Sequence, residues 1–194
     1  MNASKITAIK PIFFSTRDVS SAFKITEASA RVLCHRYLKQ KIFLRLKRGL
    51  YLLEENWRHI DEAQLYRLAN RLQVPSYLSL MTALSHYQIT TQVQRRFFES
   101  IGVVRTKNIS LRDAQFRYTK LSPGLYFGFV KKDDYFIATP EKALLDAVYL
   151  ASLGRYRLDM DSLNLERFDK KALKRLSVRF PAKCRLILET RCRI

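Results

Sequence analysis

The chain has 194 residues, of which 36 are Lys or Arg and 17 are Asp or Glu, so its formal net charge is +19. Hydrophobic residues make up 47% of the sequence, with 12 Phe and 10 Tyr. That content is sufficient to bury a core and excludes a disordered basic tail. One or two compact domains are expected.

The sequence also argues against membrane, secreted and metal-binding classes. No run approaches the roughly 20 apolar residues that cross a bilayer, and the N-terminal residues lack the apolar stretch of a secretory signal. The three Cys and three His are widely spaced along the chain and match neither a disulfide framework nor a metal-ligand motif. We therefore expect a cytoplasmic protein with reduced thiols, no metal, no cofactor and no membrane partner.

The positive charge is concentrated near the N-terminus. Residues 24–53 contain eight basic side chains and one acid, Glu27. A folded chain this basic repels itself, and a polyanionic partner whose phosphates neutralise the charge is the simplest explanation. Nucleic acid is the first candidate.

Two short helices and a hairpin are predicted in this region. Ser15 can cap a helix with Asp18 in its first turn, ending near Phe23. Thr26 can cap a second helix that runs to about Lys41. Two β-rich runs follow, 42–46 and 50–53, and Gly49 between them suits the positive φ of a hairpin turn.

Helix, turn, helix and hairpin in this order is the winged helix-turn-helix arrangement, in which the second helix enters a DNA major groove and the hairpin lies along the backbone. Helical periodicity gives the second helix a buried stripe, formed by Ala30, Leu33, Cys34, Tyr37 and Leu38. The opposite face and the hairpin supply the predicted DNA contacts. Phosphate contacts are assigned to Lys24, Arg45, Lys47 and Arg48, base readout to Ser29, Val32, His35 and Arg36, and further contacts to Thr26, Arg31 and Lys39. The alternative is that this helix and hairpin are ordinary core elements whose basic side chains only face solvent and bind no DNA.

A linker is predicted at Glu54–Asn56, which separates a domain of residues 1–58 from one of residues 59–194. The second domain is predicted to contain helices and a small, mostly antiparallel sheet, so the fold class is α+β. The predicted helices are 62–72 with Asp61 as cap, 76–87, a helix from Thr139-Pro140-Glu141 to about 153, and 170–180 with Asp169 as cap. The predicted strands are 103–105, 116–119, 125–129 and 135–137.

The C-terminal tail carries a second group of basic residues. These residues form either a solvated helix face or a surface that contacts phosphate or a partner, and the sequence leaves both roles open. Its members are Arg167, Lys170, Lys171, Lys174, Arg175 and Arg179.

Three segments in order resemble the AbiEi-like antitoxins of type IV toxin-antitoxin systems. They are Arg48-Gly49-Leu50-Tyr51, the run 75–80 (Pro-Ser-Tyr-Leu-Ser-Leu) before Ala83-Leu84, and the run 138–146 (Ala-Thr-Pro-Glu-Lys-Ala-Leu-Leu-Asp). The resemblance implies a transcriptional autorepressor that binds inverted repeats in its own promoter. It also implies a C-terminal antitoxin domain that counters a nucleotidyltransferase-like toxin in abortive infection, without a stable complex. This chain departs from the common pattern in its short segment before the first helix and its extended basic tail.

Two other functions remain open. One is a generic winged-helix regulator, and the other is RNA binding through the basic tail, with Tyr126, Phe127 and Phe129 stacking on bases if they are exposed. Enzymatic activity is not expected, because Glu141 and Asp146 do not form a catalytic pair by spacing.

Overall fold

The structure is a computed structural model. It describes residues 6–92 and 94–192, and the side chain of Cys192 lies outside that description. The fold is mixed α+β, as predicted. The chain divides into two compact units, Met1–Leu68 and Ala69–Ile194.

The first unit contains two helices and a three-stranded antiparallel sheet of order β1-β3-β2. Both predicted helices and the predicted hairpin are present, although the second helix ends two residues early. The elements are β1 Phe14–Ser15, α1 Thr16–Phe23, α2 Glu27–Lys39, β2 Phe43–Lys47 and β3 Leu50–Leu53.

Side-chain caps begin both helices. The Asp18 backbone N–H donates to the Ser15 hydroxyl at 3.3 Å, and the Ser15 N–H donates to the Asp18 carboxylate at 2.6 Å, which satisfies two donors at the start of α1. Thr26 Oγ1 accepts from the Ser29 N–H at 3.2 Å. Between the helices Lys24 adopts a left-handed conformation with φ 52°.

Aromatic packing fixes α2 against the sheet. The Phe43 ring lies 4.8 Å from Phe14 and 5.0 Å from Tyr37, both edge-to-face. The predicted stripe of α2 is confirmed, since Ala30, Leu33, Cys34 and Tyr37 are buried and Leu38 is half-buried. Burial raises the pKa of the Cys34 thiol to about 11, so this cysteine is a packed, protonated side chain.

The predicted linker is wrong. Glu54–His59 is a 3₁₀ helix, and Trp57 within it is buried. Burial of the indole holds this segment to the first unit. The next helix, α3 (Glu62–Leu72), begins where predicted, with the Gln64 N–H donating to Asp61 at 2.7 Å.

The second unit is built on a six-stranded sheet of order β6-β7-β5-β4-β9-β8. The sheet is mostly antiparallel, as predicted, but β5 pairs with β7 and β4 with β9 in parallel, on either side of the central antiparallel pair β5–β4. The remaining pairs are antiparallel. The strands are β4 Ser76–Leu78, β5 Phe97–Gly102, β6 Lys107–Leu111, β7 Ala114–Lys120, β8 Phe129–Lys132 and β9 Tyr135–Ala138.

Several predicted boundaries in this unit are corrected. Residues 76–78 form a strand instead of the start of a helix, 103–105 lie beyond the end of β5, and 125–129 contain the end of a 3₁₀ turn (Pro123–Leu125) and only the first residue of β8. The helix starting at Pro140 is confirmed, the helix at Lys170 ends early, and the last helix was not predicted. The helices are α4 Leu80–His86, α5 Pro140–Ser152, α6 Lys170–Ser177 and α7 Ala182–Cys192, with a further 3₁₀ turn at Leu165–Arg167.

Candidate nucleic-acid interface

The face of α2 opposite its buried stripe is open to solvent. Val32 is 72% exposed at its centre, and among the described residues of the first unit it is the only large hydrophobic side chain so exposed. An isolated valine surrounded by polar groups can contact the methyl group of a thymine in a major groove. All predicted residues of this face are exposed: Thr26, Ser29, Arg31, Val32, His35, Arg36 and Lys39.

The chemistry of this face changes along the helix. Its first turn carries small hydroxyl side chains, with the Thr26 hydroxyl donating to Ser29 Oγ at 3.0 Å. Its last turn carries Arg36 and Lys39. Small side chains permit close approach to base edges, and long cations reach guanine edges and phosphates. The face therefore combines both requirements on one helix.

The hairpin presents cations along its first strand and at its tip. Arg45, Lys47 and Arg48 are all exposed. A bulge between Arg45 and Lys47 leaves Leu46 buried between two exposed cations. Gly49 has φ 74°, and a Cβ there would meet no atom within 4 Å. The turn thus needs glycine for its backbone conformation and not for space.

Arg17 is a further cation of this unit that the sequence analysis missed. Its Nε lies 3.0 Å from the Glu27 carboxylate, which also lies 3.8 Å from Arg31 Nη2. The two arginine side chains are 82% and 72% exposed, and ion pairs this exposed contribute at most about 1 kcal/mol. Both guanidinium groups can therefore exchange Glu27 for a phosphate. Nothing in the local sequence distinguishes Arg17 from a solvated arginine.

The second unit contains a buried polar network, which the sequence analysis also missed. Lys142 Nζ donates to the Asp146 carboxylate and, at 2.9 Å, to the Tyr77 hydroxyl. Asp146 Oδ2 accepts from Ser79 Oγ at 2.8 Å and from the Tyr77 hydroxyl at 3.0 Å. All four residues are fully buried. The network links the strand β4 and the residue after it to α5.

Close packing encloses the ammonium group. Lys142 Nζ lies 5.0 Å from the Phe127 ring and 5.2 Å from the Phe180 ring. Gly128, with φ 71°, lets the lysine stem pass, since a Cβ there would come within 3.0 Å of Lys142 Cγ. Burial raises the pKa of Asp146, and the attraction of Lys142 opposes that rise. The network therefore joins β4 to α5 within the buried core of the second unit.

The six basic residues of the C-terminal tail are all exposed, but they do not act alike. Arg167 donates to the Gln88 carbonyl at 2.7 Å. The Arg179 guanidinium lies 3.6 Å from the Phe127 ring centre and donates to the Gly124 carbonyl at 3.1 Å. These two arginines brace the fold of the second unit. Lys170, Lys171, Lys174 and Arg175 remain as a cationic face on α6.

The aromatic residues suggested for RNA stacking are half-buried. Phe129 stacks on Tyr77 with centroids 4.6 Å apart, Tyr126 lies 5.2 Å from the same ring, and Phe127 is covered by Arg179. Their faces are used in packing. Stacking on RNA bases requires exposed rings, and these three rings are not exposed.

Within residues 6–92 and 94–192, no group of three or more His, Cys, Asp and Glu side chains is placed to hold a metal ion. Nor does any helix in those ranges have the length and apolarity to cross a bilayer. Comparisons with protein-family models, curated proteins and solved structures find no match to this chain. The function is therefore inferred from the surface chemistry and from the resemblance of the sequence segments.

Proposed function

We propose that the first unit is a winged helix-turn-helix domain that binds duplex DNA, and that the protein represses its own operon from inverted repeats in the promoter. The observation that carries this proposal is the exposed face of α2, hydroxyl-bearing at its start and cationic at its end, in one unit with a cation-tipped hairpin. Such a face fits a major groove, and the hairpin fits the adjacent backbone.

The proposed DNA-contacting residues fall into two groups, those that contact base edges and those that contact phosphates. Ser29, Val32, His35 and Arg36 contact base edges, with Thr26, Arg31 and Lys39 at the margins of the face. Lys24, Arg45, Lys47 and Arg48 contact phosphates, and Arg17 joins them. Phosphate contacts supply most of the affinity and base contacts the sequence preference.

Sequence-specific DNA binding is tested by measuring the affinity of the full chain for its promoter duplex, an unrelated duplex and a single-stranded RNA at one fixed salt concentration. The promoter duplex should bind most tightly, about 10³-fold or more above the unrelated duplex. Stronger binding to the RNA would favour the RNA-binding function, for which the packed aromatic rings offer no support. Equal binding to all three would reject sequence-specific recognition.

The antitoxin role follows from the family resemblance. In this proposal the second unit counters a nucleotidyltransferase-like toxin in the cytoplasm without a stable complex, and the α6 cations are its candidate surface. Co-expression with the product of the neighbouring nucleotidyltransferase gene tests it. Rescue of growth should survive substitutions on the α2 face. If no such gene adjoins this one, the protein is a generic winged-helix regulator.

Arg36→Ala is expected to weaken promoter binding by about 1–3 kcal/mol and to relax the base preference at one position of each half-site. The reason is that a bidentate guanidinium contact to a guanine edge discriminates between bases. Binding to promoter duplexes mutated at single positions measures both effects. Arg105→Ala, an exposed arginine of the second unit, is the matched control and should bind as the native chain does.

Lys47→Ala is expected to weaken promoter and unrelated duplexes alike. The ammonium group at the hairpin tip contacts phosphate, so its loss should lower the slope of log affinity against log salt by about 1. A salt titration of both duplexes provides the measurement, with Lys131→Ala on the exposed strand β8 as control. A loss confined to the promoter duplex would place Lys47 at the bases instead.

A further inference from the structure

An arginine-lined cavity of about 450 Å³ lies in the second unit. Its walls include Arg117, Arg155 and Arg157, together with Tyr156 and Gln94. A cavity of this size falls in the range that holds small-molecule ligands. Neither the DNA-binding proposal nor the antitoxin proposal uses it.

One wall is fixed by the end of α5. The Gly154 N–H donates to the Ala151 carbonyl and the Arg155 N–H to the Leu150 carbonyl, both at 2.9 Å. Gly154 has φ 69°, so these bonds form the left-handed helix ending that glycine favours. The backbone that carries Arg155 is therefore held in one conformation.

A buried carboxylate holds the next residue. The Tyr156 hydroxyl donates to Glu99 Oε2 at 2.9 Å, and Glu99 is 1% exposed. Glu99 and Arg117 are paired across the parallel strands β5 and β7, which places their side chains on the same face of the sheet. The loop arginines and the strand arginine are thus assembled around one anchored tyrosine.

The charges lining the cavity do not balance. Three guanidinium groups accompany two carboxylates: Asp159, which accepts from Gln92 Nε2 at 2.9 Å, and the buried Glu99, which attracts Arg117. In the part of the chain that the structure describes, none of the three arginines has a carboxylate oxygen within 4.0 Å. Like charges gathered in a concave wall repel one another and attract a multivalent anion.

We propose that this cavity binds the phosphate groups of a nucleotide. Guanidinium groups match the geometry of phosphate oxygens and donate two parallel hydrogen bonds to them. One positive charge remains in excess of Asp159 and Glu99, and three guanidinium groups offer more donors than a single carboxylate can accept, so they suit a chain of phosphate groups. The same chemistry is offered by a free nucleotide and by the 5′-triphosphate end of an RNA, and the test separates these two sources.

The test measures binding of ATP, inorganic triphosphate and adenosine to the full chain by calorimetry at physiological salt. ATP and triphosphate should bind and adenosine should not. The double variant Arg155→Gln/Arg157→Gln should weaken both anions by about tenfold or more for each arginine removed, and Arg117→Gln should do so independently. The matched control Lys131→Gln/Lys132→Gln removes the same charge from the exposed strand β8 and should bind as the native chain does.

If the arginine and lysine variants lost affinity for ATP and triphosphate equally, the anion would be an adventitious ion only, attracted by net charge. That result would overturn the site. Binding of adenosine as tight as that of ATP would also overturn it. A short RNA with a 5′-triphosphate, compared with the same RNA bearing a 5′-hydroxyl, identifies the source. If the chain binds the 5′-triphosphate RNA more tightly than ATP, and the arginine variants lose this preference, the ligand is the RNA end. If it binds ATP as tightly as the 5′-triphosphate RNA, the ligand is the free nucleotide.

Discussion

Asp146→Ala is expected to lower the free energy of unfolding by about 3–5 kcal/mol, the loss typical of removing one partner from a buried ion pair. The substitution leaves the Lys142 ammonium without its counter-ion in a fully buried site. It also removes the acceptor of the Ser79 and Tyr77 hydroxyls, and unsatisfied buried donors add to the loss. Urea-induced unfolding of the full chain measures the change.

The matched variant is the double substitution Lys142→Met/Asp146→Leu. It removes both charges and keeps apolar volume, and such replacements are often neutral or stabilising. The double variant should therefore be more stable than Asp146→Ala alone. If the Asp146→Ala protein unfolded with the same urea midpoint as the native chain, the pair would not be buried as described.

Val32→Glu is expected to weaken promoter binding by more than about 100-fold, because it places a negative charge at the centre of the face that meets the DNA, where a like-charge contact costs several kcal/mol. The side chain is 72% exposed and glutamate is a good helix former, so stability should not change. Anisotropy titration of a labelled promoter duplex, together with thermal unfolding, separates the two effects.

Val178→Glu is the matched control for this experiment. Val178 is 64% exposed and lies in the second unit, so the substitution adds the same charge away from the proposed interface. It should reduce affinity only slightly, through net charge. If the two variants bound equally well, the groove assignment of α2 would be wrong.

The elements that were predicted correctly are those specified by local chemistry. Caps at Ser15, Thr26 and Asp61 each bond the backbone within three residues, and Gly49 fixes its hairpin turn through its own φ. Such signals lie within a few positions of the structure they determine. The exposed face of α2 followed from its helical period, which is equally local.

The central strand β4 was missed because its stability comes from distant partners. Tyr77 pairs with Ile101, and Leu78 with Ser100 on one side and Ile137 on the other. A three-residue strand has no period of its own, so the apolar run was assigned to the following helix. The edge strand β6 was missed for a different reason, since its residues are largely exposed and lack an apolar pattern.

The buried network explains why two of the segments behind the family resemblance occur together in one fold. Tyr77 and Ser79 come from the first segment, and Lys142 and Asp146 from the second. Their side chains satisfy one another in a dry core, so these residue types are required for packing. The segments therefore carry information on the fold, and the function must be tested at the exposed faces.

The most direct test of the central claim is photo-cross-linking from α2 in the full chain bound to its promoter duplex. A photoreactive residue in place of Val32 should cross-link to bases within the operator half-sites, and the same residue in place of Val178 should not. A bound complex in which position 32 gives no cross-link to bases, or in which both positions cross-link equally, would contradict the placement of α2 in the groove.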